Sequence, residues 1–267
     1  MTERPKRLLT QNSELRDIGV WNWTLPAYVV DLPDGSKFNV CPAAGSCASL
    51  CYARNGTYLF PAVRGAHVRN LMFVLEDLEG WKEAMGRELS RRKFYPTGVR
   101  RDDAAPPGTP LDDWMRSWVD RGGQAVRVHD AGDYFSDEYT LAWLDIAAQF
   151  PHVLFYSYTK EVSRFRRIVQ DKAPVNFRWL YSLGGREDHL VERDSDRHAD
   201  VFPDEGAIAD AGYVSQEASD LYAITLATPR VGIPANNIRH FRKRQGVDTF
   251  GTLQAARHTR KPVAARA

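Results

Sequence analysis

Residues 125–160 read AVRVHDAGDYFSDEYTLAWLDIAAQFPHVLFYSYTK. Two runs of β-branched and aromatic residues, AVRVH and VLFYSY, bracket a segment with helical spacing. Ser136 stands where an N-cap belongs, and Asp137 and Glu138 suit the positive end of the helix dipole. Tyr139, Trp143, Ile146, Ala147 and Phe150 fall on one face of that helix. A strand, a helix and a second strand at this spacing form a βαβ unit, which implies a parallel sheet.

The pattern continues in both directions. Downstream, FRWLYSL, ADVF and YAITLA read as further short strands, and EVSRFRRIVQD as a helix that buries Val162, Phe165 and Val169. Upstream, the stretch from Trp21 to Val40 reads as a hairpin, YVVD and KFNV around LPDGS, with Asp34 and Gly35 in the turn. Gly65 to Arg92 carries helical patterning, Arg101 to Pro110 is a loop broken by prolines, and Leu111 to Arg121 is a short helix. With FNV as the first strand, about six parallel strands are expected, an α/β fold in the form of a partial or complete TIM-type (β/α) barrel. It carries an N-terminal β-hairpin and a basic C-terminal tail. Residues 1–252 form one domain, and 253–267, which contain no acidic residue, form a basic, flexible tail.

At 267 residues and 43% hydrophobic, the chain can bury one large core. Its 36 basic and 34 acidic residues nearly cancel, so no global field marks a nucleic-acid partner, and the basic tail is the place for weak nucleic-acid contact. No apolar run approaches the roughly 20 residues that cross a bilayer. A membrane partner is therefore not expected, and the expected location is the cytoplasm.

All three cysteines, Cys41, Cys47 and Cys51, fall in NVCPAAGSCASLCYARNG, in the loop that leaves the hairpin. Clustered thiols in a reducing compartment point to metal or cluster ligation sooner than to a disulfide. Cys47 and Cys51 are one helical turn apart, and Pro42 and Gly45 let the backbone bring Cys41 to the same point. Three thiolates can hold an iron–sulfur cluster with one iron left open. They can also hold zinc, with His67 as the nearest imidazole, or remain unligated. His67, His189, His198 and His240 are dispersed, so a second metal site has no basis. No P-loop, GxGxxG or GxSxG motif is present, which removes the basis for nucleotide hydrolysis and serine hydrolase chemistry.

A cysteine loop after a strand of a βα-rich chain, ending in Cys-Tyr-Ala, resembles the radical S-adenosylmethionine (radical SAM) superfamily. It looks closest to phage-encoded radical-SAM-like proteins of uncertain function. The resemblance runs through residues 38–185, including the pattern of RVHDAGDYF, a helix with Trp, Pro-His, a strand and Thr-Lys. It departs at the cysteines. The superfamily's loop has three and then two intervening residues, whereas this one has five and then three, and its aromatic residue follows the last cysteine.

The resemblance implies a 4Fe-4S cluster on Cys41, Cys47 and Cys51, with S-adenosylmethionine held by residues at the C-terminal ends of the strands. Asp130, Gly132 and Asp133 match the acidic, glycine-bearing segment that holds the amino group of S-adenosylmethionine. Lys160 and Ser182 end the next two strands, beside His129, the Gly184–Gly185 pair and Glu187. Tyr52 and Asn55 lie next to the cysteines, where Tyr52 is placed to shield a cluster. A radical enzyme with an unidentified substrate is the leading expectation, in host cytoplasm if phage-encoded. The alternatives are a non-catalytic iron–sulfur protein used for structure, redox sensing or partner binding, and a zinc-stabilised nucleic-acid-binding protein.

Overall fold

The chain opens with α1 (Ser13–Asp17) and β1 (Val20–Trp23), followed by the hairpin of β2 (Val29–Asp31) and β3 (Lys37–Asn39). Beyond the cysteines come α2 (Pro61–Glu76), α3 (Leu78–Leu89) and α4 (Asp113–Asp120). Strands and helices then alternate through β4 (Gln124–Val128), α5 (Asp137–Gln149), β5 (Val153–Thr159), α6 (Val162–Ile168), β6 (Phe177–Ser182) and β7 (His198–Phe202). The remaining elements are α7 (Glu205–Asp210), β8 (Val214–Ser215), α8 (Tyr222–Thr225), β9 (Arg230–Pro234), α9 (Arg239–Gln245) and α10 (Phe250–Thr259). This computed structural model describes residues 3–259.

Seven strands form one parallel sheet in the order β1-β4-β5-β6-β7-β9-β8, with β2 and β3 apart as an antiparallel pair. Side chains alternate across the sheet. On one face Val126, Val128, Val153 and Phe155 meet Trp81 of α3, Trp143 of α5 and Phe165 of α6. On the other, Ala125, Leu154, Tyr156 and Leu180 pack with Trp118 of α4 and Ile224 of α8. Trp23, Trp81 and Trp143 are fully buried against one another, with ring centroids 5.1–6.3 Å apart. Burying a large apolar side chain is worth about 1.5–3 kcal/mol, so this aromatic knot anchors the helical layer to the sheet.

Local chemistry explains the helix starts. Ser136 caps α5 by accepting from Tyr139 N at 3.2 Å, and Asp112 caps α4 by accepting from Met115 N at 2.9 Å. The helical stretch expected over Gly65–Arg92 starts earlier, at Pro61, and divides at Asp77. Asp77 leaves the helical region at φ −157° and ψ 76°, and its carboxylate caps α3 by accepting from Gly80 N at 2.9 Å.

The strand assignments need correction. FNV, expected to open the parallel series, belongs to β3 and pairs with β2. The edge position is taken by VWNW, too short and too polar at Asn22 to show a clear period. YAITLA, expected as a strand, forms α8, because a short apolar run has no periodicity that separates helix from strand. The strand that follows it, β9, is obscured in sequence by Gly232 and Pro234. Gly232 is a packing requirement, since a Cβ there would lie 2.4 Å from Cγ2 of Ile208 on α7.

The sheet's edges are β1 and β8, and no ladder joins them among the described residues. The basic segment 253–267 begins inside α10, whose residues through Thr259 are helical, while 260–267 lie outside the described residues. No helix among the described residues is long and apolar enough to cross a membrane.

Candidate functional site

At the C-terminal ends of the parallel strands lies a cavity of about 810 Å³. Cys41, Cys47 and Cys51 line it, and so do Asp130, Gly132, Asp133, Lys160 and Ser182. Loops that leave β3, β4 and β5, together with the last residue of β6, thus deliver all eight residues to one cavity. Among the described residues, the two non-glycine positions with φ in the left-handed region are Tyr28 at 61° and His129 at 66°, and both line this cavity. Backbone strain of this kind gathers where a fold over-determines a site.

The cysteine loop is clasped from two sides. Gly45 N and Cys47 N both donate to Gly184 O at 3.1 Å, and Arg186 N donates to Ala43 O at 2.7 Å, so the turn after β6 forms one jaw. The other jaw is α10. Ser46 N donates to Gln254 Oε1 at 2.6 Å, and Ser46 Oγ donates to Phe250 O at 2.9 Å. Arg244 of α9 adds a bond to Ser49 O at 2.6 Å. Gly184, at φ 93°, is needed here because a Cβ would lie 3.0 Å from Phe250 Cβ and 3.1 Å from Ser46 Oγ. The two glycines therefore hold the cysteine loop, and Asp188 fixes them in turn by accepting from Gly184 N and Gly185 N at 2.8 Å.

Asp133 and Lys160 are both engaged by the protein itself. Asp133 is buried and accepts from Thr159 Oγ1 at 2.7 Å, Tyr134 N at 2.8 Å and Lys160 N at 2.9 Å. The Lys160 ammonium donates to Ser182 O and Oγ at 2.9 and 2.8 Å and to Leu183 O at 3.1 Å, joining the ends of β5 and β6. Asp130 accepts from Thr24 Oγ1 at 2.5 Å and from Tyr58 at 2.8 Å, and Tyr52 donates to its carbonyl. Tyr52 also lines the cavity, whereas Glu187 lies away from it and accepts from Ser163 N at 2.8 Å.

His129 is tied to the aromatic core. Trp23 Nε1 donates to Tyr139 OH at 2.7 Å, which leaves that hydroxyl's proton for His129 Nε2, also at 2.7 Å. Nδ1 then carries the imidazole proton, with no partner in the protein. Burial holds the ring neutral by pushing its pKa down to about 3.

Sequence reasoning missed a second group on this cavity. Arg127 of β4 pairs with Asp220 at 3.2 Å and lies over the Tyr158 ring at 4.9 Å. Tyr156 donates to Asp220, and Tyr158 donates to Gln216 Oε1 at 2.5 Å. The available signal was a charged residue at an inward position of an otherwise apolar strand, AVRV.

The thiols of Cys41 and Cys51 favour the protonated form. Burial pushes the Cys41 thiol well up, with the Asp133 carboxylate acting the same way, although Tyr28 N donates to its Sγ at 3.3 Å. Burial, and after it the neighbouring Cys47 thiol, also pushes the Cys51 thiol up, while a hydrogen bond from Ala53 N and the charges of Lys160 and Arg54 work in the opposite direction. A cation bound here therefore has to displace protons. Among the described residues no three His, Cys, Asp or Glu side chains converge closely enough to hold a single metal ion. His67, the expected fourth zinc ligand, stands behind Tyr58 at a ring distance of 5.7 Å and lines a separate recess. A cluster is less demanding, because each sulfur binds its own iron, and three cysteines on one cavity wall fit that donor set.

Glu161 couples the loop to pH. It accepts from Ala43 N at 2.7 Å and from Arg164 at 3.0 Å. Burial, then the Asp133 charge, pushes its pKa up to about 8. Between the ordinary carboxylate pKa near 4.5 and about 8, the folded chain keeps a proton that the unfolded chain has lost. This group's contribution is thus greatest below pH 4.5 and falls as pH rises through about 8. Thermal melts between pH 5 and 9 should show a decline in Tm that flattens in Glu161→Gln. An identical slope in the variant would remove Glu161 as its source.

The family model described as Gene product 88 matches residues 2–264. Among curated proteins, the chain is similar to the Gene 88 protein of Mycobacterium phage D29, with 25% identity over 137 residues. That match takes in 49% of this chain and 46% of the phage protein, so the chain spans about half the length of the curated relative it matches. No solved structure matches. Neither description mentions an iron–sulfur cluster or radical SAM chemistry.

Proposed function

We propose that this chain, which belongs to the Gene product 88 family, is an iron–sulfur protein that binds one 4Fe-4S cluster through Cys41, Cys47 and Cys51 and receives S-adenosylmethionine beside it. The observation that carries this reading is the meeting of the three cysteines with Asp130, Gly132, Asp133, Lys160 and Ser182 on one cavity at the C-terminal ends of parallel strands. A cavity of about 810 Å³ is of the size that takes a cofactor-sized molecule.

A partial barrel is part of the proposal. In a flat sheet β4 and β8 would stand about 24 Å apart, at about 4.8 Å per strand. Arg127 on β4 nevertheless pairs with Asp220, in the segment that follows β8, and Asn22 on the edge strand β1 lines the same cavity as both. Curling of the sheet around its inner face accounts for these meetings.

A 4Fe-4S cluster held by Cys41, Cys47 and Cys51 with one iron left open would, when reduced, supply the electron for reductive cleavage of S-adenosylmethionine into methionine and a 5′-deoxyadenosyl radical. The chain's own residues orient the site. Gly184 and α10 fix the cysteine loop, Asp133 and Lys160 lock the ends of β4, β5 and β6, and Tyr52 and Tyr58 line the cavity beside Asp130. A second reading, a non-catalytic iron–sulfur protein with the same fold, is favoured by the saturation of Asp133 and Lys160, which leaves neither with an idle polar group.

Anaerobic reconstitution followed by iron and sulfide analysis and electron paramagnetic resonance tests both. About four iron atoms per chain and a reduced signal that changes with S-adenosylmethionine are expected. A cluster signal indifferent to the ligand selects the non-catalytic reading, and zinc without iron refutes both.

A further inference from the structure

The strand wall of the cavity contains polar atoms that the protein does not use. Asn22 and Arg127 are register partners on the adjacent strands β1 and β4, and both line the cavity. Asn22 is 7% exposed, and its Oδ1 has no hydrogen-bond partner. Arg127 Nε is likewise buried without a partner, although Nη1 of the same guanidinium pairs with Asp220. A buried acceptor and a buried donor thus stand side by side, each left unmade, which is costly unless something fills them.

We infer that this wall is a subsite for a neutral, planar ring bearing a lactam edge, of the kind carried by uracil and hypoxanthine bases. The Arg127 Nε–H donates to the ring carbonyl, and Asn22 Oδ1 accepts from the adjacent ring N–H. Neutrality follows from Asp220, which already balances the Arg127 charge, so an anion gains little there. Planarity follows from the phenol rings of Tyr52, Tyr58 and Tyr158, which give the cavity flat aromatic surfaces. The inference takes this cavity as the active site of the reading above and names its substrate class, but binding at Asn22 and Arg127 does not need the cluster.

The lactam can arrive as a free nucleoside or within a polynucleotide. The basic helix α9 carries Arg239, Arg242, Lys243 and Arg244, and Arg244 bonds Ser49 O on the cysteine loop, so a phosphate backbone has cations beside the cavity.

The test uses the full chain, both metal-free and anaerobically reconstituted. Uridine and inosine are titrated calorimetrically beside 3-methyluridine and 1-methylinosine, which lack the ring N–H. The parent nucleosides are expected to bind about tenfold more tightly than their methylated forms, in metal-free protein as well. Asn22→Ala should bring each pair to equal affinity. Tighter, salt-sensitive binding of a short oligouridylate identifies a polynucleotide as the source, and equal affinity identifies the nucleoside. Equal binding of parent and methylated forms to the wild-type chain, or no binding of either parent at millimolar concentration, overturns the subsite. Because the metal-free arm reads binding alone, failure of the cluster leaves that arm's result intact.

Discussion

Asp133→Ala lowers the stability of the folded chain by about 3–5 kcal/mol. The carboxylate is 4% exposed and accepts from Thr159 Oγ1, Tyr134 N and Lys160 N, and alanine leaves all three donors without a partner. Each buried donor left unsatisfied costs about 1–3 kcal/mol, offset in part because the cost of burying a charge disappears. In a chain of this size about 1 kcal/mol moves Tm by 2–4 °C, so differential scanning calorimetry should record a fall of about 10 °C. Asp133→Asn keeps one acceptor oxygen and places an amide against Lys160 N, so its loss should be smaller. An alanine variant that melts within about 2 °C of the wild type would remove Asp133 as the tie between the loop after β4 and the end of β5.

Gly184→Val separates strain from the clasp on the cysteines. The residue has φ 93°, and a Cβ would press on Phe250 Cβ at 3.0 Å, Ser46 Oγ at 3.1 Å and Cys47 Cβ at 3.4 Å. Left-handed strain of about 1–2 kcal/mol and overpacking of about 1–3 kcal/mol together predict a loss of about 2–5 kcal/mol. On the proposed reading the variant should also take up less than about half the wild-type iron on reconstitution, because the contacts that fail are those that hold the cysteine loop. Gly212→Ala is the control. Gly212 has φ 72° but no atom within 4 Å of an added Cβ, so stability should fall through strain while iron uptake stays unchanged. Equal iron uptake by wild type and Gly184→Val would dissociate the turn after β6 from the proposed cluster site.

The strands β4 to β7 were legible because each is an apolar run bounded by polar turns, and α5 because Ser136 and its apolar face obey local rules. The rest depended on tertiary context. Nothing local tells VWNW that it will pair with AVRV, or tells RVGIP that Ile208 will press against Gly232. The placement of Asp130, Gly132, Asp133, Lys160 and Ser182 was traceable because a parallel sheet puts the ends of consecutive strands together, whereas the cysteines reach the same cavity from the loop after the hairpin strand β3. The Arg127–Asp220 pair was not traceable, since 93 residues separate its members and Asp220 sits in ASDLYA, which reads as part of a strand or its flank. The role of Gly184 and Gly185 was also hidden, because a glycine pair signals a turn but not the loop it holds.

The clasp on the cysteine loop sets an order of events during synthesis. Ser46 and Gln254, which bond directly, are 208 positions apart. At 5–20 residues per second, the cysteines leave the ribosome about 10–40 s before α10 can reach them. For that interval the cysteine loop lacks one of its two jaws, and its thiols stand in an incomplete setting. On the proposed reading, cluster assembly is tied to the arrival of α10. A nascent chain halted before Phe250 should hold its cysteines more accessible to alkylation than the released protein, a difference readable by mass spectrometry.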